Sequence, residues 1–232
     1  MFLRQFLEKI FFALIFLLSC ESYAQQTIFN VPSADILEKG KNFLQHESQF
    51  RTKDPEQFYN TLNYYARGIG YNTELDITQM SWSSPASNNV TIGVGTKTAI
   101  PWAQNDPYEV KTIVGFMLPI SLQGHGSGHW AYIEQSFVLP QTGTRFTAGF
   151  SSGSQQVFGK NVNSFIGGIE QKITDKFSLI GDWYSGKHGW GQAAVGFSYA
   201  LPRDFTFYGG YQITNSKREI RNSFVVEIAT IF

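Results

Sequence analysis

From Lys41 to Phe232, apolar residues alternate with polar or small ones in runs of about ten positions, each closed by turn residues. Only a strand has a side-chain period of two. In the last run Phe224, Val226, Ile228, Thr230 and Phe232 share one face, while Val225, Glu227, Ala229 and Ile231 share the other. Twelve such runs are expected, at 41–51, 58–67, 71–82, 90–100, 109–122, 129–139, 145–152, 162–173, 177–186, 190–201, 205–215 and 222–232. Their connections alternate in character. Gly68-Ile69-Gly70, Pro140 to Thr144, Thr174-Asp175-Lys176 and Pro202-Arg203-Asp204 are tight, whereas Ser83 to Asn89, Gln123 to Gly128 and Ser154 to Asn161 are longer; Pro101 to Tyr108 is a long link on the tight rim. An even number of antiparallel strands with short turns at one rim and longer loops at the other predicts a closed barrel.

The polarity of the two faces selects the solvent. A soluble sandwich or jelly roll would bury the large apolar face and show water a face rich in Lys and Glu. Here the second face is mostly Gly, Ala, Ser, Thr, Gln and Tyr, and only 16% of all residues are charged. A confined polar lumen and an apolar face toward lipid fit that pattern, and ten-residue strands match a tilted bilayer span. Tyr108, Trp183, Trp190, Phe205 and Phe232, near strand ends, are placed to form interfacial girdles. The fold class expected is therefore all-β: a closed antiparallel transmembrane β-barrel of about 12 strands, with short periplasmic turns and longer external loops. Equal numbers of acidic and basic residues, 18 of each, give no basic face for nucleic acid.

Residues 1–24 carry Arg4 and Lys9, an apolar run from Ile10 to Leu18, and small residues around Ser22-Tyr23-Ala24, the pattern of a cleaved secretory signal peptide. Leu17-Leu18-Ser19-Cys20 is an alternative lipoprotein processing signal. Cys20 is the sole cysteine, so cleavage after Ala24 leaves no disulfide and no thiolate ligand. Residues 25–40 are expected to form an N-terminal periplasmic segment, and 41–232 the barrel. Within the segment, Ser33 as N-cap and Gly40 beyond the end suggest one helical turn covering the periplasmic mouth, with an irregular leader as the alternative.

With apolar faces outward, the lumen charges are Glu47, Arg51, Arg67, Glu74, Asp76, Lys97, Glu109, Lys111, Glu134, Arg145, Glu170, Lys172, Asp182 and Glu227. A twelve-stranded cylinder has a backbone diameter of roughly 24 Å, leaving ~10 Å of free width for ions or small solutes. The alternative is that these charges pair across the lumen and block it. No single-sign ladder is visible, so strong selectivity is not expected. His125, His129 and His188 fall in loops with no fixed further ligand, so no metal or other cofactor is expected.

The C-terminal strand, with Phe224, Val226 and Ile228 alternating toward a terminal Phe232, resembles the assembly signal of outer-membrane barrels in diderm bacteria. The resemblance implies a bacterial outer-membrane location, lipid contacts and handling by the barrel assembly machinery. Thr27-Ile28-Phe29-Asn30-Val31-Pro32-Ser33-Ala34-Asp35 with Lys39-Gly40-Lys41, Asp182-Trp183-Tyr184-Ser185-Gly186-Lys187-His188 and Tyr208-Gly209-Gly210-Tyr211 are similar to stretches of a poorly characterised group of exported bacterial barrels. That likeness implies a fold and a membrane, not a reaction.

One group departs from the outward pattern. His46 and Ser48 fall on the lipid-facing side of the first strand. If Phe50 pairs with Phe58, Ser48 lies opposite Asn60, and a Ser/His/Asn hydrolase group can assemble. His-x-Ser with Asn60 twelve residues after Ser48, and Arg51 beside it, resembles the motif of outer-membrane phospholipase A, while Glu47, Gln49 and Phe50 depart from it. The main expectation is a passive, weakly selective channel or envelope structural protein. A lipid hydrolase using Ser48, His46 and Asn60 is the alternative, and a surface-binding barrel acting through its loops is a second.

Overall fold

A computed structural model describes residues 26–51, 59–84, 87–103, 106–124, 126–158, 160–217 and 222–232. The expected signal peptide, 1–24, and His125 lie outside the described residues. Twelve strands run in chain order: β1 Asn42–Phe50, β2 Tyr59–Gly70, β3 Thr73–Ser84, β4 Ser87–Pro101, β5 Lys111–Ser121, β6 Trp130–Leu139, β7 Thr144–Gly153, β8 Val162–Lys172, β9 Phe177–Tyr184, β10 Gln192–Ala200, β11 Phe205–Thr214 and β12 Ser223–Ile231. Each pairs antiparallel with its sequence neighbours, and β1 closes on β12 from Phe43↔Ile231 to Phe50↔Phe224. The chain is a closed antiparallel transmembrane β-barrel, and closure leaves no unpaired edge in lipid.

Two tight turns show why the rim chemistry works. β2 runs through Gly68 and Gly70, so the turn itself is Tyr71-Asn72, both at positive φ (55° and 51°). Arg203 and Asp204 (64° and 60°) turn β10 into β11 in the same way. Paired left-handed residues give the turn twist that matches right-twisted strands.

The outer wall is apolar: Leu44, Val94, Leu118, Phe150, Phe165, Val195, Phe224 and Ile228 are all exposed. Aromatic pairs knit neighbouring strands on that face, Phe150 with Phe165 (4.4 Å) and Tyr211 with Phe224 (5.0 Å). Trp190 departs from the girdle expected of it. It is half-buried, donates its indole N–H to Val157 O at 2.8 Å, and packs on Phe158 and Tyr184. Phe158 ends a short helix, α1 (Gln155–Phe158), and is buried with Val157. Residues 154–158 therefore fold inward over the outer end of the lumen.

The interior holds a further occupant. Residues 26–40 contain no helical turn and do not lie across the rim as expected; Ile28, Phe29, Val31, Ala34 and Leu37 are buried and join one apolar cluster with Leu62, Tyr64, Ala66, Met80 and Tyr132 from the strands. The chain enters at the tight-turn rim, where Gly40 N–H bonds Gly68 O at 2.8 Å, and occupies part of the lumen, beside a cavity lined by Tyr64, Tyr132, Tyr184 and Trp190. The reason is compositional. A barrel wide enough for a pore has more internal surface than its own side chains cover, and an apolar segment beside it gains by leaving water.

Candidate functional site

Inside the barrel, residues 26–33 fold back on themselves. Ile28 N–H bonds Val31 O at 2.8 Å and Ser33 N–H bonds Gln26 O at 3.1 Å, a tight turn that points the amides of Phe29, Asn30 and Val31 the same way. All three donate to Asp182 Oδ2, at 2.9, 2.5 and 2.7 Å, and Asn30 Nδ2 donates to Asp182 Oδ1 at 3.1 Å. A concave run of amides is an anion-binding geometry, and here the anion is a carboxylate of the barrel wall. Gln192 and Gln212 complete the seat by donating to Asn30 Oδ1 at 2.8 and 3.1 Å.

Two further anchors lie on either side. Glu74 accepts Leu37 N–H and Gln26 Nε2, both at 2.9 Å, and pairs with Lys97 at 3.1 Å; Lys97 also donates to Gln26 Oε1 at 2.9 Å. Arg145 pairs with Asp35 at 3.0 Å and with Glu170 at 3.5 Å. Asp76 accepts a second bond from Gln26 at 3.0 Å. The three stretches singled out in the sequence thus meet: Ile28 to Asp35 is the insert, Asp182 is its receptor, and Gly210 is its floor. A Cβ on Gly210 would press on the Phe29 ring, and one on Gly168 would overlap the Ile28 side chain.

Of the expected lumen charges, Glu47, Glu74, Lys97, Glu134, Asp182 and Glu227 are buried inside, with Asp76, Arg145 and Glu170 nearly so. Arg51 continues the inner face of β1 at its outer end, half-buried. Arg67 and Glu109 are corrected, while Lys111 and Lys172 keep the inward parity of β5 and β8 but stand at the rim. Arg67 is exposed on the outward face of β2, where it donates to Asn42 Oδ1 at 3.1 Å. Glu109 precedes β5 and meets Lys111 at the rim at 3.7 Å, and Lys172 pairs with Asp175 in the adjoining turn at 2.9 Å. His188 lies in the β9–β10 loop as expected but is buried there: Nε2 contacts Ser164 Oγ at 2.9 Å and Nδ1 accepts Trp190 N–H at 3.2 Å.

A second constellation sits on the outer wall. The hairpin pairs Phe50 with Tyr59, one residue away from the expected Phe58, so Ser48 lies opposite Thr61 and His46 opposite Asn63. A one-residue slip reverses a strand's faces. Asn60 consequently points inward, buried beside Gln49, and is not part of the group. Asn63 stands in its place: His46 Nδ1 contacts Asn63 Oδ1 at 2.7 Å and His46 Nε2 contacts Ser48 Oγ at 3.0 Å. The Tyr59 hydroxyl lies 3.0 Å from Ser48 Oγ, and Asn63 Nδ2 donates to Gln79 Oε1 at 2.5 Å, with Gln79 donating in turn to Ser81. Serine, imidazole and an orienting amide are in the order that base-assisted nucleophilic attack requires.

No sequence-family model and no curated protein matches the chain. Solved structures of similar fold include porins. A KdgM porin in complex with disordered oligogalacturonate superposes with a TM-score of 0.59 at 11% identity, covering 83% of this chain and 99% of that one. A NanC porin gives 0.56 at 14% identity, covering 81% and 98%. An outer membrane phospholipase A from Escherichia coli reaches 0.45 at 12% identity over 84% and 93%, too loose a match to carry an argument. The likeness is one of fold alone, that of a closed antiparallel outer-membrane β-barrel.

Proposed function

We propose that this barrel is an outer-membrane channel for small solutes that is held shut by its own N-terminal segment. The observation that carries the reading is the seating of three consecutive segment amides on Asp182 inside the lumen. The porin folds of the similar structures support it. Glu47, Glu74, Asp76, Glu134, Glu170, Asp182 and Glu227 face the inside against Lys97, Arg145 and Arg51. With the segment withdrawn the lumen is acidic, which favours cations or neutral solutes over an anionic chain such as oligogalacturonate.

Planar-bilayer conductance across a salt gradient tests this. The whole exported chain should give rare or no openings. A version lacking residues 26–37 should give regular steps with a cation-selective reversal potential. Silence from that truncated barrel, once its folding is verified by heat-modifiable mobility, sinks the channel reading; steady wide openings from the whole chain sink the plug.

A second reading is a lipid acyl hydrolase on the outer wall, favoured by the continuous Asn63–His46–Ser48 contacts facing lipid. His46 would take the Ser48 proton as Ser48 Oγ attacks an ester carbonyl, and Asn63 would hold the imidazole in the required orientation. Ser48→Ala should abolish phospholipid hydrolysis in mixed micelles, and Asn63→Ala should lower it at least about tenfold, while Asn60→Ala leaves it unchanged. Hydrolysis that survives Ser48→Ala ends this reading.

A further inference from the structure

β1 and β12 close the barrel with Glu47 directly opposite Glu227, both on the lumen face and each 1% exposed. Opposed residues on paired strands have Cβ atoms about 4.5–5.5 Å apart, so two carboxylates are held side by side out of water. Neither forms an ion pair among the described residues. Lys97 and Arg145 are engaged by Glu74 and Asp35. The partners of the two acids are amides: Gln49 Nε2 donates to Glu47 Oε1, and Gln45 Nε2 donates to Glu227 Oε2, both at 2.6 Å.

Three oxygens are left over. Glu47 Oε2 and Glu227 Oε1 are buried with no donor, and so is Gln45 Oε1, on a side chain 1% exposed whose nitrogen already touches Glu227. Adjacent buried carboxylates need a proton or a cation between them. A shared proton would answer the two acids and leave the Gln45 oxygen, which can only accept, without a partner. A cation answers all three.

We propose that Glu47, Glu227 and Gln45 form a divalent-cation site in the barrel wall, suited to Ca²⁺. The donors are oxygens only, which selects a hard ion over zinc or copper. Ca²⁺ accepts irregular sets of carboxylate, amide and water oxygens, whereas Mg²⁺ demands near-octahedral geometry. The ion would tie the first strand to the last at the seam where the barrel closes. This site does not depend on the channel reading.

The test uses the exported chain, residues 25–232, refolded in zwitterionic detergent with a chelator and then titrated with Ca²⁺ by calorimetry and with Tb³⁺ by luminescence. Tyr64, opposite Gln45, and Tyr208, opposite Glu227, are placed to sensitise Tb³⁺. The expected result is saturable one-to-one binding, with Ca²⁺ competing for the Tb³⁺ signal. Glu47→Gln and Glu227→Gln should each weaken it at least tenfold, and the rim substitution Glu109→Gln should not. Gln45→Leu, which keeps both carboxylates, should also weaken it and serves if either Gln variant fails to fold. A folded wild-type barrel without saturable binding overturns the site, as do variants that bind like wild type. If the wild type binds no ion and Glu47→Gln raises the melting temperature, the pair shares a proton instead, which also overturns the proposal.

Discussion

Replacing Asp182 by alanine would leave the amides of Phe29, Asn30 and Val31 inside the lumen without acceptors. An unsatisfied buried donor costs about 1–3 kcal/mol, so three on one turn weigh against docking by an amount comparable to what the insert's buried apolar side chains contribute. The loss falls on the segment, because Asp182 is not needed for the β9 ladder: Gly168↔Asp182 and Ala194↔Asp182 pair through the backbone. Asp182→Ala is therefore expected to expose residues 26–37 to limited proteolysis while heat-modifiable migration stays intact. Asp182→Asn keeps an acceptor oxygen and should give an intermediate cutting rate. Equal protection of the segment in wild type and Asp182→Ala would show that the apolar contacts alone hold it.

At the scale of the element, the segment is a short apolar insert without a ladder of its own, and it fits because the wall is thinned where it lies. Gly168 on β8 makes room for Ile28, and Gly196 and Gly210 on β10 and β11 make room for Phe29. Gly210→Val improves local strand propensity and yet should displace the segment, since its Cβ would meet a ring backed by a packed cluster. The expected outcome is a folded barrel with raised conductance and raised cutting within residues 26–37. Conductance and protection both at wild-type levels would mean that the ring has another seat.

For the whole molecule, the apolar wall and the partly filled lumen make different demands. Leu118 is exposed on β5 within the outer apolar face. Leu118→Arg should cost about 2–4 kcal/mol if that position lies near the bilayer midplane, measured by denaturant unfolding in lipid vesicles. The same substitution in a soluble sandwich would leave an exposed site almost unaffected, so an unchanged midpoint would count against burial of this face in lipid.

Strand number, closure and a last strand running to within one residue of Phe232 were legible in the sequence, because a period of two is a local property that survives whatever the strand packs against. The face of a strand is legible only if one knows what fills each side. β2 shows the failure. Placing Arg67 in the lumen and Asn60 beside Ser48 puts the even positions of β2 outward, but Leu62, Tyr64 and Ala66 point inward and join Val31, Ala34 and Leu37 of the inserted segment. That one reversal moved Arg67 to the outside, moved Asn60 to the inside, and put Asn63 beside His46. Asp182 was legible as a lumen charge and not as a receptor, because its three donors lie about 150 residues away in the chain. The alternation of the sequence thus determined a closed barrel in a membrane by itself. Whether the lumen is water or protein, and hence which side several polar residues face, was decided by tertiary contacts, since burying the segment depends on the shape and charge of a cavity that exists only once all twelve strands have closed.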